Sequence, residues 1–154
     1  MVDGARADPV GPARDIDRLR EGLVRYCGYA NEVGEAFRPL VPRVFVNASY
    51  GVSGAYVCAD AAWRANATPV DASPSPAIEA CDTLLWQGLA SVAIPGAVVH
   101  QIVWAAGKAA PTGSRVPTLV GLASIPLIIK PIDHFVDYAL DALVRPLYSP
   151  RKAE

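Results

Sequence analysis

Residues 83–107 read TLLWQGLASVAIPGAVVHQIVWAAG, and none of them is lysine, arginine, aspartate or glutamate. As a helix rising 1.5 Å per residue, this stretch would extend about 37 Å, which exceeds the roughly 30 Å hydrocarbon core of a bilayer. Trp86 and Trp104 lie near its opposite ends, where aromatic side chains mark the two membrane interfaces. The stretch therefore predicts a transmembrane helix, and the chain is interpreted as an integral membrane protein.

Two features of this predicted helix are unusual. Pro95 and Gly96 lie near its middle, where neighbouring helices in a bundle can supply partners for the backbone groups that proline leaves free. We therefore predict a kink at this pair rather than a break. His100 is the one titratable group of the stretch. We interpret it as an interfacial or hydrogen-bonded structural histidine, and a proton or ligand role is the alternative.

A second predicted span covers residues 40–60. Its central run, residues 44–59, carries no charge, and the long side chain of Arg43 can reach the membrane interface. Small residues recur at four-residue spacing, which lets helix backbones approach closely in lipid. They are Ser49, Gly51, Ser53, Ala55 and Ala59. We predict that this span packs inside a bundle, with a self-association face as the alternative.

A third apolar run covers residues 116–132 and is interrupted by Lys130. It is long enough to cross a bilayer only if the Lys130 side chain extends to the interface. We predict a thin third span, and a re-entrant segment is the alternative.

Amphipathic helices are predicted at both ends of this core, over residues 17–39 and 132–147. The first has an apolar seam with steps of three and four residues, formed by Leu19, Leu23, Tyr26, Ala30, Val33, Phe37 and Leu40. In the second, Asp133, Asp137 and Asp141 recur every four residues, which we interpret as a solvent-facing acidic stripe. Such helices lie on a membrane surface or pack against neighbouring helices.

The remaining segments complete a single-domain organisation. Residues 1–14 contain glycine, proline and mixed charges and are predicted to be disordered. Residues 61–82 form a polar loop, and residues 149–154 form a short tail. The predicted fold class is all-α: a small multi-pass membrane helix bundle within residues 15–148, with about three transmembrane segments and an amphipathic helix at each end.

Several functional classes find no support in the composition. The net charge of −1 shows no basic excess for nucleic acid, and three scattered cysteines do not make a disulfide framework. Phosphate-binding loops and the HExxH and GxSxG motifs are missing from the sequence. We therefore predict a non-enzymatic protein with no catalytic residues, cofactor or metal, whose partners are bilayer lipid and other membrane proteins or a second copy.

Four ordered blocks carry a family resemblance. Residues 25–42 read RYCGYANEVGEAFRPLVP, and the blocks 49–60, 82–96 and 125–137 follow in order. Together they resemble the mitochondrial fission process protein 1 family over most of residues 25–148. The resemblance implies a multi-pass protein of the mitochondrial inner membrane that promotes mitochondrial division and affects apoptosis.

The resemblance carries over no active site. Its matching polar positions are candidates for packing or partner contact: Arg25, Asn31, Glu32, Glu35, Asp82 and Asp133. A small transport or permeability component is the alternative function, because a broken helix with an intramembrane histidine is typical of transport sites.

Overall fold

The computed structural model describes residues 23–148 of the chain, with side chains from residue 26 onward. Within them the structure has five α-helices and no strand, so the predicted all-α class is confirmed. The helices are α1 (Ala30–Phe37), α2 (Arg43–Ala67), α3 (Pro76–Gln87), α4 (Ile94–Ala109) and α5 (Val116–Leu143). A 3-10 helix, Leu23–Tyr29, leads into α1; a π-helical turn, Gly88–Ala93, joins α3 to α4; and a 3-10 turn, Arg145–Leu147, follows α5. The predicted disordered segment 1–14 and the tail 149–154 lie outside the described residues.

The helices pack with their charges separated between two ends of the bundle. The C-terminal ends of α1 and α4 lie together with the first residues of α2 and α5 at one end of the bundle. Four cationic side chains belong to this end, and we call it the basic end. The basic end comprises Arg38, Arg43, Lys108 and Arg115. The opposite, acidic end is where α2, α3 and α5 meet. The acidic end comprises Asp60, Glu79, Asp82, Asp137 and Asp141.

Helix α1 buries its polar face and exposes its apolar one. Glu32 and Glu35 are no more than 2% exposed, whereas Val33 is 41% and Tyr26 is 70% exposed. The described part of the predicted seam thus lies on an exposed face, and the opposite face packs on the other helices. In water, α1 would instead bury its apolar face, because removing apolar surface from water stabilises the folded state. An apolar surface around a polar interior is compatible with lipid.

Two continuous helical stretches have the length and composition of membrane spans. They are Pro76–Ala109, which contains the predicted span 83–107, and Val116–Leu147. In the apolar 18-residue stretch of each helix, only 33% and 17% of the residues are buried within the described bundle. The core helix of a soluble protein is mostly buried. Helix α2 is long enough but is not among the spans found by composition, so a third span at residues 40–60 stays a prediction.

The boundaries of two predicted segments differ in the structure. The expected span or re-entrant segment 116–132 and the helix 132–147 are one helix, α5, up to Leu143. It continues through Pro126 and Pro131, which are both exposed. The expected loop 61–82 is shorter, because α2 extends to Ala67, beyond the contact of Arg64 with Asp60, and α3 begins at Pro76. Proline is favoured in the first turn of a helix, where its missing N–H would have no partner.

Two glycines, one on α4 and one on α5, allow close contacts between helices. A Cβ atom on Gly121 of α5 would lie 2.6 Å from a Val103 methyl carbon and 3.3 Å from the Ala36 Cα atom. A Cβ atom on Gly96 of α4 would lie 2.8 Å from the Tyr50 hydroxyl oxygen. The approach of α1 and α2 to α4 and α5 therefore depends on the missing side chains.

Candidate functional site

A network of polar side chains in the middle of the bundle is the candidate functional site. Its first layer centres on Asn31, which is fully buried. The Asn31 backbone N–H donates to the Ser53 hydroxyl at 3.0 Å, and that hydroxyl donates to Asn31 Oδ1 at 2.8 Å. The Asn31 side-chain amide donates to the carbonyl oxygen of Val92 at 3.1 Å. One residue of α1 thereby joins α2 to the π-helical turn.

The π-helical turn explains how the long helix passes Pro95 and Gly96. The Ile94 N–H bonds to Leu89 O, five residues back, and Pro95 itself has no N–H to donate. Wide turns of this kind accommodate a proline, and an external donor can satisfy a nearby carbonyl. Asn31 is that donor, because its amide bonds to Val92 O. The helix continues without a break, as predicted.

The Asn31→Ala substitution should lower the free energy of unfolding by about 1–3 kcal/mol, because it leaves buried polar groups without partners. The matched control is Asn47→Ala, since Asn47 lies exposed on α2 and should change stability by less than about 0.5 kcal/mol. Thermal unfolding in detergent micelles, followed by circular dichroism, measures both. Equal losses in the two variants would show that the Val92 contact contributes nothing.

The second layer centres on Glu35, which is 2% exposed. Arg38 donates to both carboxylate oxygens, from Nε at 2.6 Å and from Nη2 at 2.5 Å. The Tyr50 hydroxyl donates to Oε1 at 3.0 Å, and His100 Nδ1 lies 3.0 Å from Oε2. Burial raises the pKa of Glu35, but the hydrogen bonds from Arg38, His100 and Tyr50 outweigh it and leave the pKa below its usual value.

Glu35 therefore remains a carboxylate and connects α1, α2 and α4. An ionised carboxylate only accepts hydrogen bonds, so we assign the proton of His100 to Nδ1. This contact fits the interpretation of His100 as a hydrogen-bonded structural histidine. Its side chain is 43% exposed, so the imidazole also reaches the surface of the bundle.

Glu32 is the most unusual group in the network. It is fully buried, and neither of its carboxyl oxygens has a hydrogen-bond partner. Burial raises its pKa to about 8, its own backbone partly opposes this, and the charge of Asp133 adds to the increase. The carboxyl is therefore mostly protonated at neutral pH. The family resemblance indicates Glu32 as a candidate for packing or partner contact, and the structure places it inside the bundle.

Asp60 anchors the network toward the acidic end. Gln87 Nε2 donates to Asp60 Oδ2 at 2.8 Å, and Ser91 donates to Gln87 Oε1 at 2.7 Å. All three side chains are buried. The contact between Arg64 and Asp60 is longer, at 3.6 Å. These polar groups join α2 to the long α3–α4 helix and were not singled out from the sequence, because the partners lie 27 residues apart.

Arg145 gives two carboxylates of the predicted acidic stripe a binding partner, although both stay about half exposed. Its guanidinium lies 2.7 Å from Asp141 and 3.3 Å from Asp137, both on α5, and 3.2 Å from Asp82 on α3. Tyr148 also donates to Asp82. Two members of the predicted solvent-facing stripe therefore bind a cation that ties α5 to α3. The third, Asp133, is half-buried and faces a cavity of about 50 Å³.

Six polar positions were candidates for packing or partner contact from the family resemblance. Four of them lie in the core or form ion pairs between helices: Asn31, Glu32, Glu35 and Asp82. Asp133 lines the cavity, and the side chain of Arg25 lies outside the described ones. Within residues 23–148, no three His, Cys, Asp or Glu side chains converge as metal ligands would. The network connects helices, and the fold with this network defines an all-α bundle of the membrane-protein class, with a polar interior and an apolar surface.

Comparison with known proteins assigns the bundle to a family. Residues 11–79 match the family described as Mitochondrial 18 KDa protein (MTP18). Mitochondrial fission process protein 1 of Homo sapiens is 44% identical over 91% of this chain and 92% of that protein. The proteins of the same name from Danio rerio and Caenorhabditis elegans are 43% and 40% identical, each over 92% of this chain and 94% of their own length. The chain belongs to the mitochondrial fission process protein 1 family. No solved structure matches it.

Proposed function

We propose that this chain takes part in mitochondrial division as a non-enzymatic, multi-pass protein of the mitochondrial inner membrane, and that it affects apoptosis through this role. The observation that carries the proposal is the family membership, at 44% identity over nearly the whole chain. The bundle supports a membrane location, because two helices are long and apolar enough to cross a membrane and most residues of their apolar stretches are not buried within the bundle. The polar network supports a structural role for the buried groups.

In this proposal the chain acts through contacts of its outer surface with lipid and with membrane proteins, including a second copy of itself. The exposed face of α2 suits helix contact, because Gly51 and Ala55 point outward, while Ser49 is half-buried and Ser53 is buried. Small residues let a neighbouring helix approach closely enough for dispersion contacts, which hold helices together in lipid. The structure therefore divides the small residues of α2 between an inner and an outer face.

Depleting the protein and imaging the mitochondrial network tests the proposed function. We expect elongated, more connected mitochondria, with normal morphology restored by the intact chain. An unchanged network would refute the role in division. Protease protection of terminal tags, compared between mitochondria and mitoplasts, tests the inner-membrane location and the number of crossings independently.

The transport alternative rests on one observation, the contact of the partly exposed His100 with the buried Glu35. If protons moved through this contact, the His100→Ala substitution would alter the proton leak of proteoliposomes at least severalfold. The non-enzymatic, non-transporting proposal expects no change. His134→Ala is the matched control, because His134 is exposed on α5 and belongs to no contact of the network.

A further inference from the structure

A cleft of about 320 Å³ lies at the basic end, between the C-terminal ends of α1 and α4. Pro39, Val103 and Trp104 give it an apolar wall, and His100 also lines it. Two permanently charged side chains, Arg38 and Lys108, also line it. The cleft therefore combines an apolar wall with two cations.

The protein balances the positive charge of this cleft only in part. The Lys108 ammonium lies 3.8 Å from the centroid of the Trp104 ring, and no carboxylate of the described residues pairs with it. Arg38 pairs with Glu35, but that contact uses two of its five N–H groups. Arg38 therefore keeps donors for a second anion, while Glu35 holds its guanidinium in a defined orientation.

The surroundings of the cleft favour an amphiphile over a small soluble anion. Trp104, which lines the cleft, is 55% exposed, and two exposed apolar side chains, Phe37 and Leu40, flank Arg38 and Pro39 in the sequence. Arg43 and Arg115 add positive charge at the same end of the bundle. A ligand with an anionic head and apolar chains matches both the charge and the wall, and basic pockets between transmembrane helices recognise phospholipid headgroups in this way.

We propose that this cleft binds one anionic phospholipid, with its phosphate between Arg38 and Lys108 and an acyl chain along Val103 and Trp104. The proposal rests on the membrane location in the proposed function and is independent of the role in division. A phosphate diester accepts the remaining Arg38 N–H donors and the Lys108 ammonium protons. The Trp104 ring orients Lys108 and contacts the glycerol end of the acyl chain.

Fluorescence quenching in nanodiscs tests the site. The purified chain is reconstituted in phosphatidylcholine containing increasing fractions of phosphatidylglycerol with brominated acyl chains, and tryptophan quenching is recorded. The Trp104→Phe variant identifies the part of the signal that comes from the cleft. We expect saturable quenching of Trp104 by brominated phosphatidylglycerol and only weak, unsaturated quenching by brominated phosphatidylcholine. Equal quenching by the two lipids would overturn the proposal.

Two variants of equal charge separate a specific site from general attraction to an anionic surface. Lys108→Gln should raise the half-saturating fraction of phosphatidylglycerol at least about fivefold, because it removes a direct charge-assisted hydrogen bond to the phosphate in addition to one positive charge. Arg115→Gln removes the same charge at the same end but does not line the cleft, and should change that fraction less than twofold. Equal shifts would show diffuse attraction and refute the site. Reversal of the quenching by millimolar glycerol phosphate would indicate a soluble phosphate ester instead of a lipid, and would also refute it.

Discussion

Raising the pH from about 5.5 to about 8.5 should lower the free energy of unfolding by roughly 3 kcal/mol through Glu32 alone. The pKa of this buried carboxyl rises from 4.5 to about 8 in the folded chain. Between these two values the folded state holds a proton that the unfolded state has released. Stability therefore falls as the pH rises through this window, and the cost is complete above the folded pKa.

The Glu32→Gln substitution should remove most of this pH dependence, because the amide has nearly the same shape and does not ionise. Unfolding in detergent micelles at the two pH values measures the change. The matched control is Glu79→Gln, since Glu79 is 31% exposed and lies 3.4 Å from Arg64 at the acidic end. Its pH dependence should parallel that of the unmodified chain. A Glu32→Gln protein that retained the full loss would show that another group is responsible.

The pKa of Glu35 shifts in the opposite direction and acts in a different pH range. Its folded value lies below the usual 4.5, so it contributes stability that is present above that value and is lost in stronger acid. Glu35 therefore contributes nothing to the loss of stability between about pH 5.5 and 8.5. Adjacent turns of α1 thus carry one carboxyl that stays protonated and one that stays ionised.

Replacing Gly121 by leucine should destabilise the bundle by about 3 kcal/mol or more, because overpacking at a tight helix contact forces backbone shifts. Even a Cβ atom would lie 3.2 Å from the Cβ atom and 3.3 Å from the Cα atom of Ala36, and closer still to Val103. The Val103 methyl can rotate away, but the α1 backbone cannot move without disturbing the Glu35 contacts. Denaturant or thermal unfolding in micelles measures the loss.

Gly51→Leu is the control for this prediction. A Cβ atom on Gly51 meets nothing within 4 Å, so the side chain points into open space on α2. We expect no loss and a gain of up to about 1 kcal/mol, because glycine costs helical stability relative to residues with a side chain. If Gly121→Leu were tolerated as well as Gly51→Leu, the close approach of α5 to α1 would be refuted.

The helices could be predicted from the sequence because hydropathy and spacing are local properties. The uncharged run 83–107 lies within one long helix, and the proline pair in its middle is passed without a break. The resemblance of four blocks likewise predicted the family that the comparisons show. Boundaries at prolines were less accurate, since Pro126 and Pro131 do not end α5.

Hydropathy and spacing could not predict contacts between polar residues that are far apart in the sequence. His100 and Glu35 are 65 residues apart, and Arg145 and Asp82 are 63 apart. Asp137 and Asp141 are about half exposed, as a solvent-facing stripe requires, but their contacts with Arg145 were not predicted. No spacing pattern in the sequence predicts such pairs, because they depend on how α1 is placed against α4 and how the end of α5 is placed against α3.

The sequence by itself determined that this chain is helical, apolar enough for a membrane, and a member of its family. Only the tertiary structure decided which side of each helix faces inward. An amphipathic pattern identifies two faces but not the solvent around them. In water, removal of apolar surface from solvent would bury the seam of α1. In lipid that driving force is missing between helices, so the hydrogen bonds and ion pairs of Asn31 and Glu35 place the polar face of α1, which includes Glu32, on the inside.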